Sequence, residues 1–553
     1  MKGYICVRGV VSSDALPGVE HLWLISEGCR YRLTFFGYHS LSYGDRVRVC
    51  GFAFMPYLYK NPGSFQRELY LKREGICGYM KVTGYEVLER GSGFLKHIHS
   101  LRIYLIKRVA KFPEPLRFFT LGMVLGVKEL VPSGEREYFY RLGLGHLFAV
   151  SGFHFGIILG LSYAVLLFAM RVLNLFVKFP FSLLPSKSAH ILNLFVLPFL
   201  FVITGSQLSA LRASIMYVIF VVLHLFERDT SLYRIAFWAF VVMFLSNPLD
   251  ITGAGFEYTF AAVFTIAFII ERFRHLSYVK SFILISVAVS LALIPITAFH
   301  FHRVYPLSVV SNILFLPLFS VFIPFLIFNL CFTLLSGSHI LIGPANSVAW
   351  VIYSVVKHLS SIRWAELWVT RTETVVVAAV PFFLFYFLSK RRVFLLISGL
   401  VVCVAVCSFY LNRRDRAVFF DLGKRGNASL VVHKGFRILV DAGGRGALGG
   451  KELVSALLWQ DVKSLDKVFL TSPSKDSSAY LPYLKRVIKV KSLVKAFTAS
   501  GDCRDVVVAD ICFLCPKGIC HCRFCRIKNG PVVVKGKVFY PWKAGAITVR
   551  LED

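Results

Sequence analysis

Residues 307–335 read LSVVSNILFLPLFSVFIPFLIFNLCFTLL, a stretch of 29 residues that contains no Lys, Arg, Asp or Glu. A helix needs about 20 consecutive apolar residues to cross the hydrocarbon core of a bilayer. The stretch is therefore long enough to span a membrane. It indicates an α-helical membrane protein.

Comparable apolar runs follow one another along the middle of the chain. Several are short for a complete crossing, and half-helices or re-entrant segments are tolerated only where protein or a water-filled cavity satisfies their backbone. Short, interrupted segments are typical of a translocation path. We predict a membrane domain at 141–412 with about ten helices, near 143–170, 189–204, 208–226, 232–247, 256–270, 280–300, 307–335, 343–360, 374–389 and 392–411.

The composition excludes an ordinary soluble protein. Of the 553 residues, 56% are hydrophobic and 17% are charged, whereas globular chains carry about 25% charged residues. The net charge of +32 has two interpretations. The basic side chains either anchor helix ends and contact anionic lipid, or bind a polyanion such as nucleic acid.

The Lys and Arg residues between the helices predict the orientation, because cytoplasmic loops are enriched in both. The loops after the first, third, fifth and ninth helices are basic, whereas 248–255 has no Lys or Arg. We therefore expect the odd-numbered loops in the cytoplasm and both soluble ends on the far side of the inner membrane. Arg413, Arg414 and Arg416 weigh against this orientation for the C-terminal end.

The N-terminal end, residues 1–92, has the pattern of a small β domain. Alternating runs such as YICVRGVV and DRVRVCGFAF are bounded by Gly, Pro, Asn or Asp, and five or so such strands suit a barrel. Residues 93–140 form a linker. In it, KHIHSLRIYLIKRVAKF alternates basic and apolar residues at helical spacing, which predicts an amphipathic helix at the membrane surface.

Three stretches resemble the ComEC family of competence DNA channels. Residues 143–160, GLGHLFAVSGFHFGIILG, resemble its His-Leu-x-Ala-x-Ser-Gly-x-His signature. Residues 44–76 resemble its OB-like domain, with Gly-Asp at 44–45 and Asn-Pro-Gly at 61–63. Residues 208–265 contain LRAS, Asn247-Pro248 and Gly255-Phe256, which together with Asn312 also fit the family.

The resemblance implies a multi-pass channel in the bacterial inner membrane that passes single-stranded DNA into the cytoplasm during natural transformation. It implies no cofactor. The partners that it suggests are single-stranded DNA, the lipid bilayer, a DNA receptor protein, a cytoplasmic helicase or motor, and a second copy in a homodimer. Two alternatives stay open: a membrane-tethered metallohydrolase or nuclease, and a transporter of another substrate such as lipid or peptide.

An OB-like barrel binds a strand by placing basic side chains along the phosphates and aromatic rings against the bases. The residues with these properties here are Arg30, Arg32, Arg46, Arg48, Lys60 and Tyr57. The alternative is that the aromatic residues of this region form the barrel core and a membrane-interface belt.

Six polar or small positions are predicted to belong to the channel: His146, Ser151, Gly152, His154, Arg212 and Asn312. We reject nucleophilic catalysis by the Ser/His pair, because no third group is nearby to orient it. Ser151 and His154 are three residues apart and could share a helix face. They either line or pack the pore around a close Gly152 contact, or touch the strand directly. Arg212, which is costly in an apolar segment, is the predicted phosphate contact.

Residues 416–553 alternate strand-like and helix-like runs, which predicts an α/β unit. DLGKRGNASLVV and LVDAGG resemble the first elements of the metallo-β-lactamase-like domain that often ends the family. The next element should supply His and Asp ligands, but the aligned stretch LTSPSKDSSAYLPYL has Ser472, Ser474 and Ser477, and retains Asp476. We therefore predict a degenerate domain that binds no metal and has no nuclease activity, since serine cannot replace imidazole as a zinc ligand.

The last part of the chain is rich in cysteine: Cys512, Cys515, Cys520, Cys522 and Cys525 surround His521. The two CxxC pairs are too close together for a typical zinc ribbon. Disulfides or free thiols, a metal site, and frameshift-like degeneration remain alternatives. Relatives usually begin with one or two membrane helices, whereas this chain begins almost inside the OB-like domain. We expect either a start placed too far downstream or a barrel on the cytoplasmic side.

Overall fold

The computed structural model describes most of the chain, and it divides into two compact units. The first comprises Met1–Pro56, Leu71–Leu293 and Tyr305–Leu367, and the second comprises Tyr57–Tyr70, Ile294–Val304 and Trp368–Asp553. The described residues are 2–16, 19–37, 39–148, 151–176, 185–389, 397–404, 415–423, 426–444, 446, 448–495, 506–508, 511–514, 524–527, 532–534, 537–539 and 547–550.

The N-terminal strands form a closed barrel, which confirms that prediction. In the order in which they pair, β1-β2-β3-β5-β4, the barrel closes through antiparallel pairing of β1 with β4, and β3 runs parallel to β5. The strands are Lys2–Val11 (β1), His21–Ser26 (β2), Cys29–Thr34 (β3), Arg46–Phe54 (β4) and Ile76–Glu89 (β5).

Strand β4 shows why this sequence closes into a barrel. Successive side chains of a strand point to opposite faces, and RVRVCGFAF places Val47 and Val49 in the core while Arg46 and Arg48 face outward. The Gly44-Asp45 pair precedes β4. Gly44 has a φ of 84°, which favours glycine, and the fully buried Asp45 carboxylate accepts bonds from the Ser42 and Gly91 amides over 3.0 and 2.9 Å.

Two disulfides join barrel strands. Cys6 and Cys50 are direct partners across β1 and β4, and Cys29 and Cys77 link β3 to β5. Disulfides persist in oxidising compartments and are rare in the cytosol. The side of the membrane on which the barrel lies stays a prediction.

The helices of the first unit and of the C-terminal part of the membrane block are α1 to α14. They are Arg67–Arg73 (α1), Phe94–Val109 (α2), Leu116–Phe119 (α3), Ser133–Arg141 (α4), Gly152–Phe176 (α5), Pro185–Ile203 (α6), Leu208–Leu225 (α7), Leu232–Ser246 (α8), Ala254–Arg272 (α9), Tyr278–Phe301 (α10), Ser308–Ser336 (α11), Ile342–Ser360 (α12), Arg371–Ser389 (α13) and 397–404 (α14), with a π-helix at Thr120–Val124 and 3-10 turns at Gly145–Phe148 and Pro248–Thr252.

A polytopic membrane protein is confirmed by these helices. In the part of the chain that the structure describes, α5, α6, α7, α9, α10 and α11 are long and apolar enough to cross a membrane, and α8 is a shorter apolar helix. The first predicted segment starts later than expected, because Gly145–Phe148 forms a 3-10 turn and α5 begins only at Gly152. Much of the tenth segment lies outside the described residues.

Helix α2 is amphipathic, as predicted, but its apolar face packs against protein. Leu105, Ile106 and Val109 belong to the same buried cluster as Phe119 of α3 and Phe319 of α11. The periodicity of a sequence cannot distinguish a membrane surface from a protein core, because both bury the same stripe.

The second unit contains two sheets, which confirms the predicted α/β character. A six-stranded sheet has the order β12-β11-β10-β9-β8-β18 and a five-stranded sheet has the order β13-β14-β15-β16-β17. The strands are Arg416–Phe419 (β8), Asn427–His433 (β9), Phe436–Gly443 (β10), Ser464–Leu470 (β11), Lys489–Lys495 (β12), Val506–Val508 (β13), Ile511–Leu514 (β14), Phe524–Ile527 (β15), Val532–Val534 (β16), Lys537–Phe539 (β17) and Ile547–Arg550 (β18), numbered after the short pair Arg303–Val304 (β6) and Leu367–Trp368 (β7). Three helices accompany them: Gly449–Trp459 (α15), Lys475–Ser478 (α16) and Leu481–Val487 (α17).

Candidate functional site

Arg212 lies on α7 within the membrane block and only 7% of it is exposed. Its Nε donates a hydrogen bond to Thr259 Oγ1 on α9 over 2.8 Å. Thr259 Oγ1 itself donates to the Gly255 carbonyl over 2.9 Å. These bonds hold the guanidinium against the beginning of α9, so Arg212 has a fixed position among the helices.

Asp250 and Arg73 complete a charge cluster with Arg212. Burial and the negative charge of Glu74 raise the pKa of the Asp250 carboxyl, and the positive charges of Arg73 and Arg212 act against that rise. Asn247 Nδ2 donates to the Arg73 carbonyl over 3.2 Å, which ties the end of α1 to the turn between α8 and α9. A Cβ added at Gly253 would clash with Arg73 Nη1, so glycine leaves the space that this guanidinium fills.

Two guanidinium groups thus act on Asp250, while Glu74 Oε1 lies 3.2 Å from Arg73 Nη2 and balances the second positive charge. Guanidinium groups bind phosphate oxygens in bidentate geometry, so the cluster is chemically suited to a phosphate. Sequence reasoning singled out Arg212 but missed Arg73 and Asp250. The signal that could have found Asp250 is its position between the Asn247-Pro248 and Gly255-Phe256 pairs.

The 143–160 motif forms the start of α5. His146 lies in the preceding 3-10 turn, exposed, with Nδ1 3.2 Å from the Gly143 carbonyl. Ser151 Oγ lies 3.3 Å from Nδ1 of the fully buried His154, which confirms that these two side chains share a face. The expected close contact at Gly152 is absent from the described residues, because an added Cβ would meet Ala213 Cβ only at 4.0 Å.

Asn312 joins α11 to α10. Its Nδ2 donates to Ser290 Oγ over 3.3 Å, and its buried Oδ1 has no hydrogen-bond partner among the described residues. Buried polar groups without partners are costly. The predicted channel position is therefore a polar contact between two membrane helices.

Arg30 and Arg32 lie on β3, where both guanidinium groups contact aromatic rings. Arg30 lies 4.9 Å above the Trp23 ring and 3.7 Å from Glu74, and Arg32 lies 5.5 Å above the Tyr79 ring. Cation–π contacts hold the charged guanidinium against the face of an aromatic ring. The pair offers the charge-plus-ring combination that single-strand binding uses.

Arg46 and Arg48 lie on β4, with different neighbours. Arg46 Nη1 lies 3.4 Å from Glu89. Arg48 is the direct cross-strand partner of Glu86 on one side and of Arg8 on the other. Like charges directly opposite each other are destabilising; Glu86 lies opposite Arg48 on the other side only, so an anion next to Arg8 would relieve the repulsion between Arg8 and Arg48. Sequence reasoning missed Arg8, because only the register places it beside Arg48.

Tyr57 and Lys60 are not on the barrel strands. They belong to the second compact unit, where the Tyr57 hydroxyl donates to Asp421 Oδ1 over 2.5 Å and the Lys60 amide donates to Asp421 Oδ2 over 3.0 Å. Burial and the Asp421 carboxylate raise the Tyr57 pKa well above its usual value. The Lys60 side chain remains exposed. The predicted strand-binding residues therefore fall into two groups, one on the barrel and one against Asp421.

Asn61 completes the contact with Asp421. Its Nδ2 donates to the Asp421 carbonyl over 2.7 Å, and the Asp421 amide donates to Asn61 Oδ1 over 2.8 Å. The Asn61 side chain thus exchanges two hydrogen bonds with the Asp421 backbone, as two paired strand residues do. Gly63 follows in the same turn, and its φ of 76° favours glycine. The Asn-Pro-Gly segment thus has a structural role within the second unit.

The carboxylate of Asp441 lies where strand β10 ends and is fully buried. Asn427 Nδ2 and Thr471 Oγ1 both donate to its Oδ2, over 2.6 and 2.7 Å, and the Thr471 amide donates to Oδ1 over 2.8 Å. Protein donors therefore occupy both oxygens. These three hydrogen bonds use most of the lone pairs with which the carboxylate could bind a metal ion.

Serine hydroxyls lie beside Thr471, where the resemblance leads one to expect imidazoles, and Ser477 Oγ is 3.4 Å from Thr471 Oγ1. Ser472 Oγ lies 2.7 Å from Ser474 Oγ and 3.3 Å from Ser477 Oγ. Within the described ranges, no group of three or more His, Cys, Asp and Glu side chains could hold a metal ion. The residues here do not fit a two-metal centre. Most of the cysteine-rich tail lies outside the described residues; Cys512 and Cys525 are backbone partners in the parallel pair β14–β15.

Comparison with known proteins agrees with the resemblance noted in the sequence. Residues 123–393 match the family model described as Competence protein. The chain is 24% identical over 493 residues to ComE operon protein 3 of Bacillus subtilis strain 168, and the alignment covers 81% of this chain and 60% of that protein. The chain thus spans about 60% of the length of this relative. No solved structure matches the chain.

Proposed function

We propose, from the match of residues 123–393 to the Competence protein family model, that this chain is an inner-membrane channel that passes single-stranded DNA into the cytoplasm. The observation that carries the proposal is the position of Arg212, a buried guanidinium held between α7 and α9 inside the family's matched region. Intramembrane charges mark substrate paths. The polyanionic strand is the substrate that such a charge would favour.

The barrel supplies the first contact with the strand in this proposal. Arg30 and Arg32 combine charge with aromatic surface, and Arg8 and Arg48 form a like-charged pair that an anion would stabilise. Sequence-independent binding of single strands uses these two kinds of contact. The disulfides favour a barrel on the oxidising side of the membrane, which is the side from which incoming DNA arrives.

The Arg73–Arg212–Asp250 cluster supplies a second phosphate contact. It joins the end of α1, which follows the barrel strand β4, to the turn between two membrane helices. In this proposal a strand that leaves the barrel contacts the guanidinium groups of Arg73 and Arg212. The cluster lowers the cost of moving phosphates out of bulk water, because two guanidinium groups replace part of their hydration.

The second unit contributes no nuclease activity in this proposal. Asn427 and Thr471 donate hydrogen bonds to Asp441, and serines stand where the resemblance leads one to expect metal ligands. The purified full chain, incubated with single-stranded DNA and Mn²⁺ or Zn²⁺, should leave the DNA intact. Metal-dependent cleavage that disappears in Asp441→Ala would overturn this part of the proposal while leaving the channel role standing.

The test of the channel role measures entry of labelled DNA into the cytoplasm of the source bacterium. A chromosomal deletion should abolish uptake, and Arg212→Gln at normal membrane abundance should reduce it at least tenfold. Arg212→Lys should retain an intermediate activity, because lysine keeps the charge but not the bidentate geometry. Arg234→Gln is the matched control, since Arg234 is exposed and paired with Asp229. Unchanged uptake after the deletion would refute the channel role.

A further inference from the structure

A cavity of about 280 Å³ lies where three helices of the first unit end or begin. It is bounded by the end of α2, the end of α11 and the start of α12. Its lining residues are Arg108, Lys111, Phe112, Pro113, Leu330, Thr333, Leu334, His339 and Ile342. None of them belongs to the charge cluster around Arg212 or to the barrel's basic residues.

The rim of the cavity is basic. Arg108 and Lys111 are exposed there, and neither forms an ion pair within the part of the chain that the structure describes. Arg108 Nε donates to the Tyr104 hydroxyl over 3.1 Å, which fixes the side chain and leaves its terminal nitrogens for another acceptor. The nearby Glu114 is paired with Arg117. The rim therefore has a net positive charge.

The floor of the cavity is apolar, with one exception. Phe112 and Leu330 are buried, and Leu334 is half-buried. The exception is Thr333, whose buried Oγ1 has no hydrogen-bond partner among the described residues. A buried hydroxyl without a partner costs free energy. An oxygen atom of a molecule in the cavity would remove that cost.

The cavity lies at the end of a membrane-spanning helix. Helix α11 has 29 residues and its length of about 43 Å exceeds the roughly 30 Å hydrocarbon core. The helix is therefore long enough for its last turns, which include Thr333 and Leu334, to reach the level of the lipid headgroups. Basic pockets between membrane helices at this level bind acidic headgroups.

We propose that this cavity binds an acidic phospholipid, with the headgroup phosphate between Arg108 and Lys111 and the upper acyl chain along Leu330 and Leu334. The volume is just below the roughly 300–1,000 Å³ of typical small-molecule pockets, which suits a glycerophosphate headgroup. A nucleic acid strand offers the same phosphodiester, but it would leave the apolar floor uncovered. The lipid is the occupant that matches both the charge and the floor.

Native mass spectrometry of the purified full chain tests the proposal. The probes are phosphatidylglycerol and phosphatidylcholine with identical acyl chains. We expect the wild type to retain phosphatidylglycerol preferentially and the double variant Arg108→Gln/Lys111→Gln to lose that preference by roughly tenfold or more, since each removed charge weakens binding to acidic lipid. The control Arg272→Gln/Arg274→Gln removes two exposed charges elsewhere and should bind as the wild type does.

A second variant separates loss of the site from loss of charge. Leu334→Trp fills the apolar part and leaves Arg108 and Lys111 in place, so it should also lower retention of phosphatidylglycerol. Equal retention of both lipids by the wild type, or normal retention by the double variant, would overturn the proposal. Displacement of the lipid by an oligothymidylate would assign the site to nucleic acid instead. Equally tight binding of glycerol phosphate would assign it to a free phosphate.

Discussion

The hydroxyl of Tyr57 donates a hydrogen bond to the carboxylate of Asp421 over 2.5 Å, although 364 residues separate the two in the chain. Asp421 is fully buried. Its other carboxylate oxygen accepts from the Lys60 amide. Residues 57–60, which precede the Asn-Pro-Gly turn, therefore donate hydrogen bonds to the buried carboxylate of Asp421 in the second unit.

Removing the Tyr57 hydroxyl should destabilise the second unit. Tyr57→Phe leaves the buried Asp421 carboxylate with one donor fewer, at a cost of about 1.5–3 kcal/mol, because the lost bond involves a charged group. Hydrogen–deuterium exchange of the full chain should show faster exchange in peptides that cover 57–67 and 421–433. Tyr31→Phe, a half-buried barrel tyrosine, is the control. Equal exchange in both variants would contradict a structural role of the Tyr57 bond.

Acid should weaken the barrel through Asp45. Burial alone would raise the Asp45 pKa, but hydrogen bonds from Gly91, Ser42 and Arg90 bring it below its usual value. A depressed carboxyl pKa contributes stability above the unfolded value of about 3.9 and loses it as pH falls through the folded value. We expect the barrel to resist proteolysis above pH 5 and to become sensitive below pH 4.

Asp45→Asn should make the barrel less stable near neutral pH by about 2 kcal/mol and flatten this acid dependence. Limited proteolysis of the purified full chain between pH 3 and pH 7, with an acid-tolerant protease, measures both effects. Glu20→Gln changes an exposed carboxyl and should keep the wild-type profile. An unchanged acid profile in Asp45→Asn would show that another group governs the transition.

The Arg8–Arg48 pair should contribute to binding of single-stranded DNA. Arg8→Gln/Arg48→Gln should weaken binding of a fluorescent oligothymidylate to the full chain. The slope of log K against log salt should fall by about 0.7 for each lost phosphate contact. Arg46→Gln should have a smaller effect, because Arg46 is already paired with Glu89. A double variant with the wild-type salt slope would exclude these arginines from the binding surface.

Gly253 should be essential for the position of Arg73. Gly253→Val adds atoms where Arg73 Nη1 now lies, so the guanidinium must leave the cluster with Arg212 and Asp250. We expect reduced DNA uptake at normal membrane abundance, by several-fold. Gly156→Val is the control, since nothing surrounds an added Cβ at that glycine. Normal uptake in Gly253→Val would show that Arg73 does not act with Arg212.

The two barrel disulfides should be present in the protein from intact cells. Peptide mapping after alkylation of the denatured chain with a maleimide should show Cys6, Cys29, Cys50 and Cys77 labelled only after reduction. Loss of one bridge through Cys6→Ser/Cys50→Ser should cost about 2–4 kcal/mol of barrel stability. The exposed free thiol of Cys331 serves as the internal standard for labelling without reduction.

The sequence allowed the local features to be predicted. Strand alternation in runs such as DRVRVCGFAF predicted the β barrel, and the spacing of three residues indicated that Ser151 and His154 could share a face. The length of the apolar runs predicted the membrane block. Each of these features depends on the side-chain periodicity or the length of a single helix or strand, and the sequence shows both directly.

The contacts that define the candidate sites could not be read in this way. Arg73 meets the turn of Asp250 only because the chain folds back over more than a hundred positions, and Arg8 meets Arg48 only through register. Nothing in the local pattern of Tyr57 indicates a buried carboxylate as its partner. Long-range pairing is set by the tertiary fold, which periodicity does not encode.

The separation between Tyr57 and Asp421 also has a consequence for biogenesis. The ribosome synthesises Tyr57 long before Asp421, its hydrogen-bond partner. The second unit therefore cannot finish folding until translation is almost complete. Until then Tyr57 lacks its hydrogen-bond partner while the membrane helices insert. A fragment that starts at residue 416 would lack Tyr57 and Asn61 altogether, so production of that fragment alone should yield an aggregation-prone protein.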